Sequence, residues 1–143
     1  MTNGKLVGQT ASVGFQIGVR RSLPVTQEQA WKLLTSSRGL PLWLGQLEGA
    51  SFIAGQAYRT AEGTSGEFRV VKPMEQLRLT WQPSGWPKPS TVQVRLLPSG
   101  TEKTTISFHQ EKLADARQRE AMKLRWEEAL AAIGELLKEG FGR

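Results

Sequence analysis

The sequence predicts an α+β chain in which a curved antiparallel sheet of six to seven strands wraps around one long C-terminal helix. Three observations lead there. Apolar and polar residues alternate in several short segments between Phe15 and Phe108, the period-two signature of strands with one buried face. The stretch Ala114 to Lys138 instead carries a helical stripe of Met122, Trp126, Ala129, Leu130, Ile133, Leu136 and Leu137. Between the first strand and the others lie only two short helical segments. A sheet with one apolar face must cover it, and the last helix is the one large amphipathic cover available. Sheets twist, and there are too few strands for two packed layers. Wrapping the sheet around the helix is therefore the economical solution, with the short helices plugging one open end.

Residues 1–14 are rich in Gly, Thr and Ser and read as a flexible arm, with residues 15–140 as a single domain. Phe15, Ile17, Val19 and Leu23 alternate with Gln16, Gly18, Arg20 and Ser22, and Pro24 ends that strand. Thr26 and Gln29 have the spacing of a capping box, followed by a helix carrying Ala30, Trp31, Leu33 and Leu34. A second helical turn holds Leu42, Trp43 and Leu44, opened by Pro41 and closed by Gly45. Strands are predicted over Tyr58 to Ala61 and Glu67 to Lys72, meeting at a Gly63–Thr64–Ser65–Gly66 turn. Leu77, Leu79 and Trp81 form the next, and Pro83 to Ser90 is a proline-rich loop around Trp86. Val92, Val94 and Leu96, then Thr104, Ile106 and Phe108, complete the sheet. Gly140 supplies the C-cap of the long helix.

Bulk properties narrow the function classes. The chain has 143 residues, 38% hydrophobic and 22% charged, an ordinary globular composition. No apolar run approaches the roughly 18 residues that span a bilayer, and Met1 to Gly14 lacks the apolar core of a secretory signal. With no cysteine there is no disulfide and no thiolate metal site, and a cytoplasmic setting is the natural expectation. The net charge of +6 raises nucleic acid as a partner. The basic residues are scattered, however, and the densest stretch, Arg117 to Arg125, contains Glu120 and runs into Glu127 and Glu128. A solvated helix face accounts for it, so neither nucleic acid nor a membrane is an expected partner.

The segment Phe15 to Gly45, FQIGVRRSLPVTQEQAWKLLTSSRGLPLWLG, resembles the opening of START-like (SRPBCC) helix-grip proteins. The resemblance continues through GEFRVVKPMEQLRLTW at Gly66 to Trp81, STVQVRLLPSGTEKTTISFHQEKL from Ser90, and RWEEALAAIGELL from Arg125. The most similar branch is the one named after the activator of the heat-shock-protein-90 ATPase. There are two departures: Arg125 stands where the family often has glycine before the helix tryptophan, and Ala54 to Glu62 is shorter and less aspartate-rich than the family's hairpin at the cavity rim.

The resemblance implies a helix-grip fold with an internal cavity between sheet and helix. Candidate cavity residues are Trp43, Phe52, Tyr58, Phe68, Trp81, Phe108, Met122 and Trp126, with Trp86 as a candidate lid. Core packing competes with that role, because burying one indole is worth about 4 to 6 kcal/mol on its own. His109 is the only histidine, which leaves no His-based metal site or dyad. It faces opposite Phe108, in a structural role. Arg20, Arg69, Arg78 and Arg95 take the polar parity of their strands, as a solvated face does. No catalytic group, metal ligand or cofactor site is assigned: Glu48, Glu62 and Glu67 lie nearest the presumed rim, and no flanking residues mark any of them.

The leading expectation is therefore binding of a small hydrophobic or aromatic molecule, lipid-, polyketide- or flavonoid-like. The alternative is a cyclase or dehydratase working in the same cavity with Glu67 or Tyr58 as base. A co-chaperone role is a second alternative invited by the family name. The eukaryotic namesake carries an additional N-terminal domain that fourteen loose residues do not replace, so chaperone binding is not expected.

Overall fold

The computed structural model describes residues 9–10, 14–47 and 52–140. Seven strands form one antiparallel sheet: β1 (Gln9–Thr10), β2 (Gly14–Leu23), β3 (Ala57–Arg59), β4 (Ser65–Lys72), β5 (Gln76–Trp81), β6 (Ser90–Pro98) and β7 (Thr104–Leu113). Two short helices, α1 (Gln27–Thr35) and α2 (Leu40–Trp43), follow β2, and α3 (Ala116–Lys138) closes the chain. The strand order is β1-β2-β7-β6-β5-β4-β3, so a meander from β3 to β7 returns to pair with the first long strand. The helix-grip arrangement is present as expected. At 23 residues, α3 is about 34 Å long at 1.5 Å per residue, and it packs on β2, β7 and α2. Among the described residues no helix is long and apolar enough to cross a membrane.

Local chemistry sets the boundaries. The Thr26 capping box is complete: its hydroxyl accepts from the Gln29 amide, and the Gln29 side chain accepts from the Thr26 amide. Asp115 caps α3 by accepting from the Gln118 amide at 2.8 Å, a start signal the apolar stripe alone does not reveal. Gly140, at φ +93°, takes the left-handed position that follows a helix end.

Register explains the core. Across the sheet, Val19 opposes Phe108, Phe108 opposes Val94, and Val94 opposes Leu77, so one row of apolar side chains faces α3. Arg20, Ser107, Arg95 and Gln76 form the neighbouring row on the convex face.

Two details differ from the sequence expectation. Gln9 and Thr10, read as part of a loose arm, pair with Phe15 and Gly14. Gly66, read as a turn residue, lies inside β4 opposite Tyr58. A Cβ there would stand 2.0 Å from the Thr80 carbonyl oxygen and 2.7 Å from the Tyr58 ring. Its glycine is required by close approach, while the turn itself uses Gly63 at φ +98°.

Gly66→Ala is accordingly expected to destabilise the fold by about 2 to 4 kcal/mol through overpacking. Gly18→Ala, on the open face of β2 where the nearest atom to a new Cβ is 3.7 Å away, should be neutral or stabilising by up to about 1 kcal/mol. Urea unfolding of the two variants checks the contrast, and equal midpoints would refute the close-approach account.

Candidate functional site

The concave side of the sheet and the inner face of α3 meet in a run of aromatic rings. Trp43, from the end of α2, lies 5.8 Å from Phe108 of β7 between centroids. Phe108 stacks on Trp126 of α3 at 4.9 Å and 7°. Trp126 contacts Trp81 at the end of β5 at 5.9 Å, and Trp86 meets Trp81 edge-on at 5.5 Å and 85°. The first four rings are at most 1% exposed, and Trp86 is only partly buried. A second cluster joins Phe52 to Phe68 at 5.2 Å and Phe68 to Tyr58 at 5.1 Å. Met122, one turn before Trp126, packs partly buried against the same core.

The eight candidates and Trp86 thus divide between two contacting ring clusters plus Met122. Within each cluster the rings touch one another. Beside Trp86 an outward-opening recess of about 500 Å³ is lined by Gly14, Pro87, Lys112, Leu113 and Gln118 among others.

A buried polar chain fixes these rings. The Trp126 indole N–H donates to Gln110 Oε1 at 2.9 Å, Gln110 Nε2 donates to Ser90 Oγ at 2.9 Å, and Ser90 Oγ donates to the Trp81 carbonyl at 2.7 Å. It links α3 to β7, β6 and β5. Gln110 is fully buried and has the inward parity of Ile106 and Phe108, which is the sequence signal that marks it.

Arg125 is the residue sequence reading placed wrongly. It falls within the stretch read as a solvated helix face, yet its guanidinium lies 4.9 Å from the Trp81 centroid and 5.3 Å from that of Trp126. Nη2 donates to the Trp43 carbonyl at 2.9 Å. Burial lowers its pKa, and the more distant charge of Glu62 opposes that shift. Arg119 also leaves solvent, donating from Nε to the Gln16 carbonyl at 2.8 Å. Both arginines reach back over the sheet on long apolar stems. Arg117 and Lys123 remain exposed.

The groups considered as bases are engaged elsewhere. Tyr58 donates its hydroxyl to the Thr80 carbonyl, and burial pushes its pKa upward, which disfavours the phenolate. Glu67 pairs with Arg69 at 3.3 Å on the side opposite buried Phe68. Glu62 accepts from the Gln46 amide, and Glu48 lies outside the described residues. His109 shares a 2.9 Å hydrogen bond with Gln16 Oε1 on the convex face, where Arg78 pairs with Glu111 at 3.6 Å.

The model of one family, described as Activator of Hsp90 ATPase homolog 1-like protein, matches residues 24–138. The chain belongs to that family. No curated protein matches it in sequence at a significant level. Among solved structures it is similar to DynU16, from the dynemicin biosynthetic locus, at a TM-score of 0.77 and 22% identity over 90% of this chain. The match covers 49% of DynU16, so this chain spans about half the length of that relative. CalU16 from Micromonospora echinospora is similar at 0.75 and 20% identity, over 85% of this chain and 73% of CalU16. PFC0360w, an HSP90 activator from Plasmodium falciparum, is similar at 0.72 and 16% identity, over 86% of this chain and 96% of that one. At these identities the likeness is one of fold, and all three share the sheet-and-long-helix architecture.

Because the Gln110 amide serves two buried partners, Gln110→Leu should cost about 2 to 3 kcal/mol by leaving the Trp126 N–H unsatisfied. Trp126→Phe in the same background should recover part of that loss. The readout is the denaturant midpoint of the two single variants and the double variant; strict additivity would show that the chain of bonds does not act as a unit.

Proposed function

We propose that this family member binds a small hydrophobic or aromatic molecule, lipid-, polyketide- or flavonoid-like, between the sheet and α3. The observation that carries this reading is the continuous run of rings from buried Phe108 through Trp126 and Trp81 to partly exposed Trp86, ending beside a recess of about 500 Å³. Large apolar rings that lead from a core to an opening give a ligand both a stacking wall and an entry.

Trp86 acts as the lid. Its loop, between β5 and β6, is tied by the Trp86 amide to the Pro83 carbonyl and by Gln82 Nε2 to the Trp86 carbonyl, so the ring can turn away from Trp81 without breaking a strand pairing. The ligand takes the place of the Trp86 edge, with Trp81 and Met122 as neighbours. A fold relative from a biosynthetic locus, DynU16, is consistent with a small molecule as cargo.

The test is a two-dimensional NMR spectrum of backbone amides and the five tryptophan indole N–H groups, recorded with a panel of apolar metabolites. The expected result is a set of shifts on Trp81, Trp86 and Met122 with at least one compound, and loss of affinity of about tenfold in Trp86→Ala. Shifts confined to the convex-face residues Arg78 and Arg95, or no shifts with any compound, would overturn the reading.

A further inference from the structure

At the outer end of the aromatic run two buried N–H groups lack an acceptor among the described residues: indole Nε1 of Trp81 and Nε of Arg125. The Trp81 side chain is 1% exposed, so bulk water does not solvate its donor. A buried donor without a partner costs about 1 to 3 kcal/mol, and more when it is charged. The contrast with Trp126, whose indole N–H is satisfied by Gln110 at 2.9 Å, shows that this core does supply an acceptor where the fold needs one.

Both orphans are donors, and they belong to neighbouring side chains: the guanidinium sits over the Trp81 ring, 4.9 Å from its centroid. The neighbouring Nη2 already donates to the Trp43 carbonyl at 2.9 Å. Charge points the same way as the hydrogen bonding. Among the described residues no carboxylate stands within ion-pair distance of Arg125; the recorded pairs use Lys32, Arg69, Arg78, Arg119 and Lys138. Two ring faces and one carbonyl hold the cation in place, and the carboxylate of Glu62 offsets its charge only from beyond ion-pair distance. A guanidinium with an unfilled N–H, beside a second unfilled indole N–H, is matched in charge and hydrogen bonding by an oxyanion.

We infer that the ligand carries a carboxylate joined to an apolar body. Its oxygens accept from Arg125 Nε and Trp81 Nε1, while the apolar part lies along Trp81 and Met122 towards the recess beside Trp86. The inference rests on the ligand-binding reading above and adds the polar head to it.

The experiment uses the full chain and two matched probe pairs, naphthoate with methyl naphthoate and decanoate with methyl decanoate, titrated by tryptophan fluorescence and followed on the indole N–H resonances. Each acid is expected to bind about tenfold or more tightly than its ester, with the Trp81 N–H resonance moving for the acid alone. Arg125→Gln should bring the acid down to the level of its ester, and Arg125→Lys, which keeps the charge but not the fork, should retain an intermediate preference. Trp81→Phe, which keeps a ring and deletes the donor, should weaken the acid about threefold to tenfold; it provides a second route should Arg125→Gln fail to fold. Equal binding of acid and ester by the unaltered chain would overturn the carboxylate while leaving small-molecule binding intact. A preference that survives in Arg125→Gln would likewise overturn it, placing the oxyanion on another cation such as Lys112. Binding of neither acids nor esters would instead remove the ligand-binding reading on which the inference stands.

Discussion

The bond from the Trp126 indole to buried Gln110 is the constraint around which the rest of the interior is arranged. A long amphipathic helix lying in a curved sheet has two soft degrees of freedom, rotation about its axis and sliding along it, which apolar contacts restrain weakly because they are non-directional. A directional bond from α3 to β7, continued through Ser90 to β5, removes both. With Trp126 fixed, the ring of Phe108 stacks beneath it and the preceding residue, Arg125, is carried over Trp81. The polar chain also stays within the tolerance of a core. Every link is made, so it adds specificity without the penalty of a half-satisfied network.

The frame was legible in the sequence because its signals are periodic. Alternation in the segments ending at Trp81, Leu96 and Phe108 gives the inward parity of β5, β6 and β7, and the capping box at Thr26 gives the start of α1. What escaped was non-periodic or non-local. Gln9 and Thr10 make a strand of two residues, below the length at which any pattern exists. Gly66 owes its identity to the Thr80 carbonyl and the Tyr58 ring, neither adjacent in sequence. Gln110 carried a signal, since it shares parity with Ile106 and Phe108, but a polar residue at the end of an alternating run reads first as a change of face.

Arg125 is the most instructive case. Helical periodicity puts it at the border between the apolar stripe and the charged face, and composition favours water for any arginine. Its final position is decided by length: the stem spans the border, and the guanidinium finds a carbonyl at the end of α2 and two indole faces. Desolvation of a full charge ordinarily outweighs a cation–π contact of about 2 kcal/mol. The arrangement therefore holds a cation that its own surroundings only partly compensate, and the direction of its pKa, lowered by burial, expresses the same imbalance.

That imbalance separates what the fold provides from what this chain provides. The aromatic wall follows from covering a curved sheet with one helix, and solved structures at 16 to 22% identity share the architecture, so a wall of rings by itself selects nothing finer than an apolar body. Selectivity among apolar bodies through ring contacts is shallow, because each methylene is worth under about 1 kcal/mol. A buried donor pair is steeper in both directions: it favours a ligand that brings an acceptor and penalises one that covers the donors without one. On the proposed reading, recognition would rest on two N–H groups that packing alone does not require. The apolar area of the Trp81 ring accounts for its place in the core but not for its N–H, and Arg125 adds no apolar area that a leucine could not. Their N–H groups are the features of this interior that stability leaves unexplained and that a ligand would complete.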